Sequence, residues 1–148
     1  HPSTSKYTKE VTMFSGGGGL VSNMSDYLNF SQMLLNGGIL NGKRLLSPKT
    51  IELMTLDHSQ GIPHARGPVV LPIHGNGFGL GFSMVTNLAD SGMTGSKGMY
   101  GWGGAAGTVF RIDPEEELVY IMMIQLMPNN HLPARERFQT MVYQAIIE

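Results

Sequence analysis

The stretch YGWGGAAGT, residues 100–108, constrains the fold of this chain more than any other. It runs directly into an apolar strand pattern, VFRID at 109–113, and then into a turn at Pro114. Glycine is unfavourable inside a strand, because it packs no side chain and loses much backbone freedom on folding; it persists where something approaches the backbone closely. The pattern therefore predicts a strand with few side chains around one large ring. Its N–H groups would be free for a ligand, as in an oxyanion hole.

Trp102 has two interpretations. It is either an ordinary core aromatic on a strand or the wall of a cleft, and its glycine neighbours favour the cleft. The strand is predicted to end near Ile112 and to be followed, after an acidic turn, by a strand over 118–126. That last strand is apolar on both faces, so both faces must be covered.

Further from this stretch, helical periodicity predicts helices over about 25–36, 48–56 and 133–147. Ser22 or Ser25 is the candidate N-cap of the first helix, and Ser47-Pro48 begins the second. The predicted buried stripe of the last helix is Phe138, Met141, Val142, Ala145 and Ile146. Asn41-Gly42 predicts a short hairpin. A further strand is predicted over 78–85, with loops over 57–76 and 86–98. The class is α+β, an antiparallel sheet with helices packed on it.

Composition excludes several kinds of partner. The formal net charge is −1 and 14% of residues are charged, so no electrostatic footprint for nucleic acid or an anionic membrane is present. No apolar run approaches the roughly 20 residues of a membrane helix. Cysteine is absent, which excludes disulfides and thiolate metal sites but leaves the compartment open between cytoplasm and periplasm.

Three histidines, His58, His64 and His74, fall in or beside the 57–76 loop. Neither their spacing nor a carboxylate cluster indicates a metal site, and no cofactor is predicted. His74 precedes the glycine-rich stretch 75–82, so it is a candidate for the rim of a cleft that binds substrate.

Four stretches in order resemble the C-terminal part of the serine β-lactamase-like hydrolases, especially the class C branch and its related carboxylesterases. These are SGGGGLVS at 15–22, FSQMLLNGG at 30–38, GFGLGF at 77–82 and Trp102-Gly103-Gly104. In that superfamily a strand lining the cleft carries a Lys-Thr-Gly-type box, and the esterase branch often has Trp-Gly-Gly there. The resemblance implies a β-lactamase/transpeptidase-like fold over residues 14–148, with 1–13 as a flexible leading segment.

The superfamily's nucleophile, in a Ser-x-x-Lys helix start, and its proton-transferring tyrosine normally lie upstream of these stretches. Ser3-Thr4-Ser5-Lys6 matches the Ser-x-x-Lys motif, but no apolar helical run follows it. Tyr27-Leu28-Asn29 falls inside the first predicted helix, where a packed aromatic is expected. The chain is therefore expected to be part of an enzyme whose nucleophile lies elsewhere, and to be inactive alone.

By resemblance, the Ala105 N–H would be one of two oxyanion donors, and Trp102, Gly103 and Gly104 would line the substrate site. Trp102 stands where the box usually has a cationic lysine, which favours small neutral esters or amides over β-lactams. The predicted partner of strand 118–126 is the N-terminal part of the same enzyme or a second copy, because an open apolar edge is an aggregation hazard. The alternative is a non-catalytic binding or assembly module that keeps the cleft.

Overall fold

The computed structural model describes residues 8–10, 12–60, 74–129 and 131–147. It confirms the α+β class, with an antiparallel sheet and helices packed on it. Ser3–Lys6 and His64 lie outside the described residues, as does most of the leading segment 1–13. Within the described ranges no helix is long and apolar enough to cross a membrane.

The elements follow one another in a simple order. The helices are α1 (Met24–Leu35), α2 (Pro48–Met54), α3 (Leu88–Ser91) and α4 (Ala134–Gln144). The strands are β1 (Ile39–Leu40), β2 (Lys43–Arg44), β3 (Asn76–Phe78), β4 (Ser83–Val85), β5 (Tyr100–Gly103), β6 (Val109–Asp113) and β7 (Leu118–Met122). β1 and β2 form a small hairpin, and the other five strands form one antiparallel sheet in chain order.

Local signals fix the first half of the chain. The N-cap of α1 is Asn23, whose side chain accepts from the Asp26 N–H at 3.0 Å, so the prediction of Ser22 or Ser25 was wrong by one or two residues. Ser47 caps α2 as predicted, accepting from the Thr50 N–H at 3.0 Å. Asn41 and Gly42 both have positive φ, 49° and 75°, which confirms the tight hairpin.

Two predicted single strands are in fact hairpins. The 78–85 stretch divides into β3 and β4 around Gly81, whose φ is 95°, and the stretch 100–112 divides into β5 and β6 around Gly107, whose φ is 93°. A glycine with positive φ lets the chain reverse direction at a point where the hydrophobic pattern alone predicts one continuous strand. The sheet therefore has five short strands instead of the three long ones expected.

Helices cover the sheet on both faces. One face packs against α1 and α2 around Leu34, Phe110 and Ile112, and the other packs against α4 through Tyr120 and Met99. In α4 the predicted stripe is only partly correct, because Phe138 and Val142 pack on the sheet while Met141 is 66% exposed.

Strand β7 is shorter than predicted, ending at Met122 instead of residue 126. It pairs antiparallel with β6 from Asp113 opposite Leu118 to Val109 opposite Met122, so the predicted pairing through the acidic turn is confirmed. Within the described chain its other edge faces no strand, and all of its residues except Tyr120 keep partial exposure.

Candidate active site

The site is built on the β5–β6 hairpin. Its register sets Gly101 opposite Arg111 and Trp102 opposite Phe110. A Cβ on Gly101 would lie 2.1 Å from the Phe110 carbonyl oxygen, so only glycine permits this close approach of the two strands. The glycines of the motif thus bring a bare backbone up to Trp102.

The hairpin closes in a tight turn over residues 104–107. The Gly104 N–H donates to the Thr108 carbonyl at 2.9 Å, and the Gly107 N–H donates to the Gly104 carbonyl at 3.1 Å. Ala105 was predicted on a strand but lies at the exposed tip of this turn. No acceptor in the described part of the chain takes the Ala105 N–H. A turn frees that donor more completely than a strand, because a ladder would have paired it.

Trp102 is 40% exposed, as a residue of a cleft wall would be and unlike a core aromatic. Its ring packs edge-to-face on Phe78, with ring centroids 5.0 Å apart and planes at 78°. The Phe78 N–H in turn donates to the Asp57 carboxylate at 3.1 Å. Burial opposes the charge of Asp57, but hydrogen bonds from Ser59 and Phe78 outweigh it and lower the pKa of this carboxyl. Asp57 thereby holds the backbone of Phe78, the residue on which Trp102 packs.

A groove of about 700 Å³ opens between the start of α1, the 104–107 turn and the free edge of β7. It is lined by Trp102, Gly103, Gly104, Ala105, Tyr27 and Leu20, together with Ile121, Met122, Gln125 and other small or apolar neighbours. None of its described lining residues is charged. Burial alone raises the pKa of Tyr27 above its ordinary value, so this phenol stays protonated at neutral pH.

The structure brings four of the five predicted site residues together and separates the fifth. His74 does not line the groove; it precedes β3 at the end remote from Phe78, with its carbonyl accepting from the Asn76 side chain at 3.2 Å. A rim role for His74 therefore gains no support from this groove. The described residues also hold no cluster of His, Asp and Glu suited to a metal ion.

Arg135 is the site residue that sequence reasoning missed. From the first turn of α4, its guanidinium donates to the carbonyls of Gly104, Gly107 and Thr108, the last two at 3.2 and 3.0 Å. One sequence signal was available: a cation in the first turn of a helix opposes the helix dipole, so such an arginine calls for a compensating contact.

The Beta-lactamase family model matches residues 1–144 of this chain. The chain therefore belongs to the beta-lactamase family, a group of hydrolases and acyltransferases that share this fold.

Individual proteins are also similar to this chain. Protein Rv1367c of Mycobacterium tuberculosis (strain ATCC 25618 / H37Rv) is 38% identical over 119 residues, covering 78% of this chain and 30% of that protein. The solved structure of EstCE1, a hydrolase with promiscuous acyltransferase activity, is 25% identical with a TM-score of 0.64, over 84% of this chain and 30% of its own. Simvastatin synthase (LovD) from Aspergillus terreus is 27% identical with a TM-score of 0.62, over 86% of this chain and 36% of its own. The chain thus spans about a third of the length of these relatives.

Proposed function

We propose that this chain is the C-terminal part of a serine carboxylesterase-like hydrolase that works through an acyl-enzyme. In this proposal the Ala105 N–H is one oxyanion donor and Trp102-Gly103-Gly104 forms a wall of the substrate site. The observation that carries it is the free Ala105 N–H at the tip of a tight turn, beside an exposed tryptophan and an open groove.

The proposed chemistry follows from where charge develops. A serine from the upstream part of the enzyme attacks the ester carbonyl. A lysine and a tyrosine in the same part accept the proton of this serine and later return one. The carbonyl oxygen becomes an oxyanion as the tetrahedral intermediate forms, and a fixed N–H aimed at it stabilises that state. The Ala105 N–H supplies one such donor and the serine's own amide supplies the other. As this intermediate collapses, the ester bond breaks, the alcohol leaves with the proton taken from the serine, and the acyl-enzyme remains. Water then attacks the acyl-enzyme, which releases the acid and returns a proton to the serine.

The expected substrate is a small, neutral ester or amide. The described lining of the groove carries no charge, and Trp102 offers an apolar ring where a lysine would attract a carboxylate. EstCE1 is described as a hydrolase with promiscuous acyltransferase activity, so an alcohol is a second candidate acceptor for the acyl group.

The open edge of β7 is proposed to pair with the upstream part of the enzyme or with a second copy. Half-buried apolar residues along that edge, Ile121 and Met122 among them, also line the groove. A partner on this edge would therefore both satisfy the unpaired backbone groups and close one side of the site.

The test is Ala105→Pro in the full-length enzyme. Ala105 is the second residue of the 104–107 turn and has no positive φ, a position at which proline is favoured. Proline therefore deletes the N–H while keeping the turn. We expect kcat for p-nitrophenyl acetate to fall by about 100- to 1000-fold. Ala105→Gly, which retains the donor, is the control and should lose far less.

An unchanged kcat in a folded Ala105→Pro protein would place Ala105 outside the oxyanion hole. A full-length protein with no turnover of esters at all, but with saturable binding of an acyl ligand quenching Trp102 fluorescence, would instead favour a non-catalytic binding module.

A further inference from the structure

We infer that Arg135 is a positioning residue that orients the Ala105 N–H and strengthens it as a donor. The inference rests on the proposed function of Ala105. Arg135 is not itself among the described residues that line the groove, and in this scheme it does not touch the substrate. It acts through the backbone of the turn, to which its guanidinium donates.

The first step is the geometry of a single peptide group. The Gly104 carbonyl and the Ala105 N–H belong to the same planar trans unit, so they point in opposite directions. Arg135 donates to that carbonyl from the α4 face of the sheet. Holding the oxygen towards α4 turns the N–H away from α4, towards the side on which Trp102 and the groove lie.

The second step is rigidity. Turns without further contacts at their tips move readily, and a donor must be fixed before the charge develops if it is to lower the barrier. Arg135 also bonds the carbonyls of Gly107 and Thr108, at 3.2 and 3.0 Å, so one planar guanidinium spans both ends of the turn. The Gly104 oxygen accepts a second bond from the Gly107 N–H at 3.1 Å. The peptide that carries the N–H is thus held at several points.

The third step is polarisation. A positive donor on a carbonyl draws electron density towards the oxygen, and hydrogen bonds in such a chain reinforce one another. The N–H of the same peptide becomes a better donor to an oxyanion. A neutral side chain that held the same oxygen would have a weaker effect.

Gly103 supplies independent support. A Cβ at this position would lie 3.1 to 3.3 Å from the guanidinium carbon and nitrogens of Arg135. That spacing is too tight for a side chain to be added without moving the arginine. Gly103, the second position of the Trp-Gly-Gly motif, thus lets the guanidinium lie directly against the backbone of β5.

The experiment compares variants of the full-length enzyme with p-nitrophenyl acetate as substrate. Arg135→Ala is expected to lower kcat by about 10- to 100-fold, the range typical for loss of an orienting partner, with KM nearly unchanged. Guanidinium chloride at tens of millimolar should restore part of kcat, and sodium chloride at the same concentration should not. Arg137→Ala is the control, an exposed arginine on the same helix, and should keep wild-type kcat.

The double variant Arg135→Ala/Ala105→Pro separates this inference from the proposed function. If Arg135 acts through the Ala105 N–H, the double variant is no slower than Ala105→Pro alone. Multiplicative losses, or a wild-type kcat in Arg135→Ala, would overturn the inference while Ala105→Pro still reports on the oxyanion hole. A wild-type kcat in Ala105→Pro would overturn the proposed function itself.

If Arg135→Ala does not fold, Arg135→Lys carries the test. An ammonium keeps the charge but lacks the planar fork that spans three carbonyls. We expect a lower kcat in this variant at an unchanged melting temperature, and a wild-type kcat would overturn the inference.

Discussion

Removing the Asp113 carboxylate is expected to destabilise the fold strongly. Asp113 ends β6 and is fully buried. It accepts from the Ser96 N–H at 3.0 Å, the Tyr143 hydroxyl at 2.5 Å and the Glu115 N–H at 3.2 Å. One carboxylate therefore ties the loop before β5 and the helix α4 to the end of β6.

The magnitude follows from the donors that Asp113→Ala would leave without an oxygen acceptor. The Ser96 N–H lies in a buried residue and would have no acceptor, and the part-buried Tyr143 hydroxyl would keep only the Met99 sulfur at 3.2 Å, a weak acceptor. Each buried donor without a good acceptor costs about 1–3 kcal/mol. The Glu115 N–H is in an exposed turn, where water replaces the carboxylate. We therefore expect a loss of about 3–5 kcal/mol from these two donors together.

Urea unfolding of the full-length protein, followed by α-helical circular dichroism, measures this loss. At a typical slope of about 1–3 kcal/mol/M, the midpoint should fall by more than about 1 M. Asp90→Ala is the control, because Asp90 is an exposed carboxylate on the short helix α3 and should cost well under about 1 kcal/mol. A loss below about 1 kcal/mol for Asp113→Ala would refute the reasoning that this carboxylate holds the three segments together.

Three other outcomes are expected. Burial raises the pKa of Tyr100 to about 12. The stability that its neutral form contributes is therefore complete below about pH 10 and is lost as the pH rises towards 12. In Tyr100→Phe, the free energy of unfolding should fall by up to about 2–3 kcal/mol less over this pH range than in the wild type. Gly38→Ala should destabilise the fold by more than about 2 kcal/mol, because its Cβ would lie 2.1 Å from the Leu46 carbonyl oxygen. Gly37→Ala should cost about 1 kcal/mol, because Gly37 also has a positive φ but faces open space. Equal melting temperatures for the two variants would contradict this contrast. The isolated chain should turn over no p-nitrophenyl acetate above buffer, and turnover abolished by Ser3→Ala would show that a nucleophile lies within it.

Signals confined to a few neighbouring residues predicted the first half of the chain well. Ser47-Pro48 is a cap and a first-turn proline, and Asn41-Gly42 supplies two consecutive positive φ values. Each signal works because the side chain or backbone concerned acts on its own segment, so no tertiary contact is needed to interpret it.

The second half was harder because its chain reversals depend on glycine conformation. Gly81 and Gly107 reverse the chain with positive φ, but a glycine that permits a turn and one that permits close strand packing are the same letter. Gly101 permits close strand packing, because a Cβ on it would lie 2.1 Å from a neighbouring carbonyl oxygen. The sequence thus predicted a bare backbone at the site but not that its tip was a turn.

Side-chain contacts between distant parts of the chain could not be located from sequence patterns. Arg135 lies 31 residues beyond Gly104, and only the fold places its guanidinium under the turn. His74 shows the converse, because proximity in sequence to a glycine-rich stretch did not bring it to the groove.

The two faces of the sheet have different roles in the proposed site. On the α4 face, the Arg135 guanidinium holds the back of the 104–107 turn through the Gly104, Gly107 and Thr108 carbonyls. The opposite face ends in an uncharged groove beside Trp102. A donor can be rigid only if something holds it from behind, and it can reach a substrate only if nothing covers it in front. The Ala105 N–H meets both requirements because a single peptide group lies between an anchored face and an open one.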